Sequence, residues 1–300
     1  MGSVVVSVDA ELGWGFVDHE TPPPDRLESG RPGWHTLCRL FEEYDVPATW
    51  AVVGHLFHSR CDGRHSDHPA APEWFARERG EWAGRPDLTC GPELVERVRR
   101  SSVDHEVASH SYSHVEFSNV DETVAAAELE RAVAIADEWG INVESFVFPR
   151  NEVGHLDLLA DHGFRSYRGR RPTPRRSLVS KLRTTAAGSG RPPLVTPERE
   201  DNGLVNVPAS LFLYSFEGRP LQVTRPVVGD PVVELVRRGL DAAADDEGIL
   251  HLWLHPNNVV GEAEKRRLDA VLAAIDDSRE DVPVETMADV AARTTALTPR

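Results

Sequence analysis

Residues 4–9, VVVSVD, form a continuous apolar run that ends in a carboxylate, which is typical of a strand buried on both faces of a parallel sheet. An amphipathic helical pattern follows at residues 32–46, PGWHTLCRLFEEYDV, and a second short apolar run follows at residues 47–54, PATWAVVG. A strand, a helix and a second strand in this order predict parallel pairing through a right-handed crossover. The stretch therefore predicts an α/β fold.

The same alternation continues along the chain and predicts a barrel or near-barrel. No linker and no internal repeat divides the sequence, so we predict a single domain over residues 1–300. Two long segments, at about 55–92 and 165–200, interrupt the pattern and are interpreted as lid-like insertions over one end of the fold. Further strands are predicted at 105–110, 143–150, 203–210, 248–256 and 282–286, and helices at 92–100, 120–139, 154–164, 230–246, 262–277 and after 286.

The formal net charge is −16, and Lys181 and Lys265 are the only lysines among 33 basic residues. A dense carboxylate surface with few lysines keeps a protein hydrated where salt screens charge, which favours a halophilic origin. An acidic mesophilic enzyme from a GC-rich genome is the alternative. Nucleic acid is excluded as the main partner, because neutralising phosphates requires a basic face.

The sequence contains no apolar window of about 18 residues, so no membrane span is expected. Residues 4–6 are preceded by no basic residue, unlike a secretory signal. Cys38, Cys61 and Cys90 are odd in number and far apart, which is typical of reduced thiols. These features predict a cytoplasmic protein, and they leave its oligomeric state open.

Ionisable side chains recur where the predicted strands end. The first strand ends at Asp9 and Glu11, a later one at His110, another in FPRNE at residues 148–152, and a late one at His255. In a βα barrel the carboxyl ends of the strands meet at one rim, where catalytic residues lie. The sequence therefore predicts one site built from several strands.

His110 and His114 are four residues apart, so on a helical turn both imidazoles would project from one face and could share an ion. Two imidazoles and one carboxylate, with an open position for water, form the ligand set of a hydrolytic zinc centre. The pair alone equally fits two solvated histidines. Asp9, Glu11 and His255 on other strand ends favour the metal site.

The chain resembles the polysaccharide deacetylases, carbohydrate esterase family four, in the order and approximate spacing of its motifs. The second motif, EVASHxxxH, is the most specific part of the resemblance. The matching segments are SVDAELGWG (7–15), ATWAVVGHLF (48–57), DHEVASHSYSH (104–114), FVFPRN (146–151), ILHLWLHP (249–256) and VPVETMADVAAR (282–293).

The resemblance implies a distorted (β/α)7 TIM-like barrel and a set of residue roles. Asp9 matches the general base that acts on the attacking water. Glu11, His110 and His114 match the ligands of a divalent metal, which we expect to be Zn²⁺. His255 matches the histidine that protonates the leaving amine or alcohol.

Two features depart from the usual family pattern. Glu11 stands where an aspartate is commoner, which indicates an Asp-x-Glu subgroup. The arginine of the third motif usually precedes a proline, whereas Arg150 follows Pro149; we assign Arg150 as the third catalytic candidate. A backbone N–H of Arg150 or Asn151 is expected to stabilise the tetrahedral oxyanion. No carboxylate clearly matches the usual partner of the acid histidine.

The predicted function is a metal-dependent deacetylase acting on an N-acetylated sugar or glycan. Two alternatives remain open: an amidohydrolase of the same fold that cleaves a non-sugar C–N bond, and a catalytically silent barrel that binds glycans. Retention of Asp9 and His255 beside the ligands speaks against the silent barrel.

A second group of metal-binding side chains lies in the first insertion: His55, His58, Cys61, His65 and His68. Their spacing matches no standard structural zinc pattern, so a lid bordering the active site is favoured over an independent metal site.

Residues 165–183 are rich in arginine and contain RGRRPTPRR. A solvated loop paired with carboxylates is the simpler interpretation, and recognition of a phosphate-linked sugar is the alternative. His251 alternates in phase with His255 and is expected either to face the barrel centre behind the site or to be a buried, hydrogen-bonded histidine. His105 is expected to take no part in the site.

Overall fold

A computed structural model describes residues 2–170, 193–214 and 230–297 of the chain. Strands alternate with helices along most of these residues, as the apolar runs and amphipathic patterns predict. The described strands, numbered in chain order, are β1 Ser3–Ala10, β2 Thr49–Val52, β3 Glu106–Ser109, β4 Ser145–Val147, β5 Ser166–Arg168, β6 Glu198–Arg199, β7 Val205–Asn206, β8 Leu211–Phe212, β9 Ile249–Leu254 and β10 Val284–Glu285.

The described helices are α1 Pro24–Glu43, α2 Ala76–Arg79, α3 Pro86–Thr89, α4 Pro92–Arg99, α5 Glu122–Glu138, α6 Leu156–Asp161, α7 Pro231–Asp245, α8 Glu262–Asp277 and α9 Met287–Leu297. Short 3-10 turns occur at Leu12–Phe16, Gly54–Phe57, Pro72–Phe75, Phe117–Asn119, Pro149–Asn151 and Pro256–Asn258. None of the helices in the described part of the chain combines the length and apolar character that crossing a membrane requires.

All the described strands belong to one sheet, with the order β6-β7-β5-β4-β3-β2-β1-β9-β8 and β10 beside β1. Every pair is parallel except β6 with β7. The first strand thus lies between β2 and the late strand β9, so the sheet curls back on itself. The result is an α/β half-barrel consistent with the distorted (β/α)7 barrel, which confirms the predicted fold class.

The central strand β1 has all eight residues buried, and its side chains alternate between two regions. Val4, Val6 and Val8 belong to the large core beneath the surrounding helices, whereas Val5 belongs to a separate core inside the sheet. Each such side chain contributes about 1.5–3 kcal/mol by leaving water. The same alternation places Asp9 on the inner side with Val5, which is why this carboxylate points into the barrel.

Helix α1 packs closely against the turn that follows β9. Arg26 Nη1 and Ser29 Oγ both donate to the carbonyl of Asn257, at 3.0 and 3.2 Å. A Cβ added to Gly33 would lie 1.9 Å from the carbonyl oxygen of Pro256. Only glycine permits this approach, so α1 fixes the position of the turn.

Two boundaries differ from the sequence prediction. Helix α1 begins at Pro24 rather than at residue 32, because proline suits the first helical turn, and Pro32 lies within the helix. The segment 165–200 was predicted as a loop, but it contains β5 and β6. Its arginine-rich composition conceals β5. Residues 171–192 of this predicted insertion lie outside the described residues.

The segment 55–92 is largely irregular, as predicted. It holds only α2, α3 and short 3-10 turns, and it contains no strand. Its proposed role as a lid stays a prediction.

Candidate active site

Two carboxylates lie at the carboxyl end of β1. Asp9 is the penultimate residue of the strand and Glu11 precedes the turn Leu12–Phe16; they are 3% and 5% exposed. A Cβ on Gly15 would lie 2.0 Å from Oε1 of Glu11, so the glycine makes room for this side chain. Both carboxylates are therefore held at the rim of the barrel, shielded from water.

The two predicted histidine ligands lie beyond the end of β3 and converge on Glu11. The Nε2 atoms of His110 and His114 are 3.5 and 3.0 Å from Oε2 of Glu11. The connecting segment is a loop and not the predicted helical turn, because Ser111 and His114 have φ angles of 62° and 66°. Both imidazoles still lie beside the Glu11 carboxylate, but the loop conformation and not a helical turn places them there.

The orientation of these rings leaves metal-binding atoms free. His110 Nδ1 donates to the carbonyl of Val147 at 2.7 Å, so its Nε2 carries no proton in the neutral ring. Nε2 of His110 and of His114 are both buried without a hydrogen-bond partner in the described part of the chain. Burial lowers the pKa of His114 and so favours the neutral ring.

The pKa of Glu11 lies well below its usual value. Burial acts to raise it, but His255, His110 and His114 more than offset that effect. An ionised carboxylate beside two buried, unpartnered imidazole nitrogens fits a divalent metal in the described residues Glu11, His110 and His114.

A buried glutamate that the sequence prediction missed supports the loop carrying the histidines. Oε2 of Glu128 accepts the backbone N–H groups of Tyr112 and Ser113 at 2.9 and 2.7 Å, and Oε1 accepts the Ser113 hydroxyl. Oε1 also lies 3.2 Å from Nε2 of His68. Glu128 lies on the buried stripe of α5 together with Val124, and a charge in that stripe is the signal that could have revealed it.

Asp9 is held by an arginine that the sequence prediction did not single out. Arg168 Nη1 and Nη2 donate to Oδ1 and Oδ2 of Asp9 at 2.5 and 2.7 Å. The Arg168 guanidinium is fully buried and stacks 4.7 Å from the Trp253 ring centroid. Burial acts to raise the pKa of Asp9, but Arg168, followed by His255 and His110, outweighs that effect and the pKa is lowered. No local sequence signal separates Arg168 from neighbouring arginines.

A second layer of hydrogen bonds fixes Arg168. Its Nη1 donates to Ser7 Oγ at 3.0 Å, and Ser7 Oγ lies 2.9 Å from Nε2 of His251. Nδ1 of His251 lies 3.1 Å from the carbonyl of Val207. Burial lowers the pKa of His251 to about 3, so the neutral ring donates to Val207 and accepts from Ser7. His251 is thus the buried, bonded histidine behind the site.

His255 completes the group from the end of β9. Its Nε2 is 3.6 Å from Oε1 of Glu11 and 3.8 Å from Oδ2 of Asp9, and its side chain is 21% exposed. Its Nδ1 lies 3.2 Å from Oδ1 of Asn258, which also accepts the backbone N–H of His255. The partner of the His255 ring is therefore the neutral side-chain amide of Asn258 and not a carboxylate.

Arg150 lies at the rim but does not contact Asp9. Its Nη2 donates to the carbonyl of Gly15 at 2.9 Å and to the carboxylate of Asp18. Asn151 Oδ1 accepts from Arg168 Nη2 at 3.0 Å, while its backbone N–H donates to Phe148. That N–H is consequently not free for an oxyanion, and a catalytic role for Arg150 stays a prediction.

The arginines of residues 165–170 are paired. Arg165 lies 3.5 Å from Glu144, and Arg170 donates to Glu152 at 2.5 Å. The rest of the basic stretch, from residue 171 to 183, lies outside the described residues.

The protein is an α/β half-barrel that carries a buried cluster of carboxylates and histidines at the ends of its strands. Residues 25–165 match the family model of the polysaccharide deacetylases. A search of curated proteins finds no match. The matched range contains His110 and His114 but not Asp9, Glu11 or His255.

Solved structures show the same fold over nearly the whole chain. A Mycobacterium smegmatis protein assigned to the polysaccharide deacetylases has a TM-score of 0.65 at 19% identity, covering 100% of this chain and 92% of its own. A Pseudomonas aeruginosa PAO1 protein with the same assignment has a TM-score of 0.64 at 14% identity, and the match covers 99% of this chain and 92% of that protein. Puue allantoinase has a TM-score of 0.62 at 16% identity, and the match covers 99% of this chain and 91% of that protein. Residues 25–165 are thus similar to the polysaccharide deacetylases, and the solved structures share the fold of the chain.

Proposed function

We propose that the chain is a metal-dependent hydrolase that removes the acetyl group from an N-acetylated sugar or glycan. The observation that carries the proposal is the convergence of Glu11, His110 and His114 beside Asp9 and His255. The family match and the shared fold add support.

The three residues Glu11, His110 and His114 would hold the metal, which we propose to be Zn²⁺, as in the Asp-x-Glu subgroup that Glu11 indicates. Their two nitrogen donors and one carboxylate match a catalytic zinc site that keeps a position open. When bound, such an ion polarises the acyl carbonyl and acidifies water.

Asp9 serves in this proposal as the general base. The Arg168 fork keeps the carboxylate ionised and fixes its plane, so that it can accept the proton of the attacking water. Because both oxygens already accept from Arg168, no side-chain motion is needed to aim the base.

His255 serves as the general acid. Asn258 holds Nδ1, so Nε2 faces the cluster and can donate a proton to the leaving amine. The partial exposure of the ring lets it regain that proton from solvent.

The test compares wild type, His110→Ala and Asp9→Asn for bound metal and for acetate release from a panel of N-acetylated sugars and oligosaccharides. His110→Ala should lose the metal of this site, because one of three ligands is gone. Asp9→Asn should keep the metal yet lose about 10²-fold or more in kcat, the usual contribution of a general base.

Equal metal content in His110→Ala and wild type would refute the ligand assignment. Unchanged turnover in Asp9→Asn would refute the base. A third variant, Glu43→Gln, serves as a control, because Glu43 is an exposed carboxylate of α1 paired with Arg39 and lies outside the cluster.

A second candidate is an amidohydrolase acting on a non-sugar C–N bond. The observation that favours it is the fold shared with Puue allantoinase over 99% of this chain. Turnover of cyclic or open-chain amides, with no acetate released from any N-acetylated sugar, would decide for this alternative.

We further propose that the enzyme works in a high-salt cytoplasm on a sugar that carries phosphate. The charge of −16 and the three free cysteines support the compartment, and the arginine-rich residues 165–183 support the phosphate. Charge reversal at Arg170 should raise KM for a nucleotide sugar more than for the free sugar. An equal KM change for both substrates would remove the phosphate proposal.

A further inference from the structure

Four metal-binding side chains from separate parts of the 55–92 segment meet in a group that shares no residue with the cluster Glu11, His110 and His114. His55 lies in the turn after β2, Cys61 and His65 lie in the following loop, and Glu78 lies in α2. One donor atom from each residue lies within 4.8 Å of the other three. The segment folds so that one nitrogen, sulfur or oxygen from each residue faces the same point.

The separations suit a tetrahedral ion. Cys61 Sγ is 3.4 Å from Nε2 of His65, which is 2.8 Å from Oε2 of Glu78. Oε1 of Glu78 is 3.1 Å from Nε2 of His55. Zinc–ligand bonds of 2.0–2.3 Å at tetrahedral angles place neighbouring donors about 3.5 Å apart.

The donor atoms are buried and incompletely satisfied. The side chains of His55 and Glu78 are 0% and 5% exposed, and His55 Nε2 and Glu78 Oε1 lack hydrogen-bonding geometry despite their proximity. A buried polar atom without a partner costs about 1–3 kcal/mol. An ion at the shared point would satisfy both atoms at once.

The surroundings hold the rings in a ligand-ready orientation. His55 Nδ1 lies 2.9 Å from the carbonyl of Thr89, so the neutral ring carries its proton there and leaves Nε2 bare. The Trp14 ring packs 4.6 Å from the His55 ring, and Phe75 stacks on His65 at 4.1 Å. These contacts aim both imidazoles inward.

We propose that His55, Cys61, His65 and Glu78 bind a zinc ion that holds the 55–92 segment in place. Four protein ligands leave no open position, so the site is structural rather than catalytic. Nitrogen and thiolate donors select zinc over magnesium or calcium. A strandless segment has little core of its own, and a bound ion supplies folding free energy that it lacks.

The chemistry of Cys61 agrees with this role. Its Sγ accepts the backbone N–H of Gly63 at 3.4 Å, a contact that favours the thiolate form that binds zinc. Sequence spacing missed the site because Glu78 comes from a helix 13 residues beyond His65, which no standard zinc pattern includes.

Cobalt substitution tests the site, because the active-site cluster Glu11, His110 and His114 contains no sulfur. The full chain, stripped of metal and loaded with Co²⁺, should show a thiolate-to-cobalt charge-transfer band. The band should persist in His110→Ala and in the control Cys38→Ala, and it should vanish in Cys61→Ala.

Zinc content gives an independent measurement. Wild type should hold two zinc ions per chain, and Cys61→Ala and His110→Ala should each hold one. Glu78→Gln provides a second variant with the cysteine intact, and its zinc affinity should fall at least 10-fold.

Absence of the charge-transfer band in fully loaded wild type, or equal zinc content in Cys61→Ala and wild type, would overturn the structural site. Failure of the active-site proposal looks different, since wild type and His110→Ala would then both hold one zinc ion and both show the band.

Discussion

At the scale of single residues, Arg168 is the side chain on which the proposed base depends. Its guanidinium binds both oxygens of Asp9, and Ser7, Asn151 and Trp253 hold it in turn. A bidentate arginine–carboxylate pair fixes the plane of the acid and keeps it ionised. Arg168 is therefore a positioning residue for the reaction.

Replacing Arg168 should change the pH dependence of catalysis. In Arg168→Gln the pKa of Asp9 rises, because the largest contribution that lowers it is lost while the effect of burial remains. The base is then protonated at higher pH, so the acidic limb of the kcat/KM profile should move to higher pH, and kcat should fall about 10²-fold. Arg168→Lys keeps a charge without the fork and should show a smaller shift.

The pH–rate profile is the deciding measurement, since a merely structural loss would lower kcat without moving the acidic limb. Arg39→Gln is the matched control, because Arg39 is an exposed arginine of α1 paired with Glu43 and has no proposed role in the site. An unmoved limb in Arg168→Gln would remove Arg168 from this role.

Sequence patterns could predict that Asp9, Glu11 and His110 lie at one rim, because each stands where a predicted parallel strand ends. They could not predict Arg168, because its partner lies 159 residues away and β5 is only three residues long. Contacts of such range follow from the closure of the sheet, which no local pattern encodes.

At the scale of elements, the loop between His110 and His114 has an unusual backbone conformation. Two non-glycine residues, Ser111 and His114, have positive φ angles, which cost energy that neighbouring contacts must offset. Glu128 of α5 supplies those contacts by accepting two backbone N–H groups and one hydroxyl. The helix thus stabilises the ligand geometry.

Removing the Glu128 carboxylate should loosen both the fold and the metal site. Glu128→Ala leaves two buried N–H groups unpaired, so we expect a loss of about 2–4 kcal/mol in the free energy of unfolding and weaker zinc binding. Denaturant unfolding and zinc titration measure the two effects. Glu128→Gln keeps one acceptor oxygen and should lie between wild type and Glu128→Ala; a stable Glu128→Ala with full zinc affinity would contradict this account.

Helix starts show why element boundaries are harder to predict than elements. Asn119 and Glu122 suggest a capping box for α5, but the cap is Asp121, whose Oδ1 accepts the N–H of Val124 at 3.0 Å. Several capping residues stand next to each other in the sequence. Which of these capping residues begins α5 depends on the direction of the chain as it leaves the 3-10 turn Phe117–Asn119.

At the scale of the whole molecule, charge is the dominant feature. The chain carries 49 acidic and 33 basic residues, and mutual repulsion of the excess carboxylates opposes the compact state at low salt. The internal pairs around Asp9 and Glu11 are shielded from salt, so screening acts mainly on the exposed charges.

The melting temperature should therefore rise with potassium chloride. Screening shortens the Debye length to about 3 Å at about 1 M salt, so most of the gain should come below that concentration. Thermal unfolding measured from about 0.05 to about 2 M potassium chloride checks the expectation. A melting temperature that stays flat or falls over this range would speak against a halophilic design.

The contact of Gly33 with the carbonyl of Pro256 gives α1 a second significance. Helix α1 begins about 230 residues before His255, the proposed acid, yet its packing sets the distance between His255 and the rest of the cluster. A methyl group at position 33 would push the His255 turn outward while leaving Glu11, His110 and His114 untouched. Proton delivery and metal binding are thus separable by a change in a helix that supplies no residue to either.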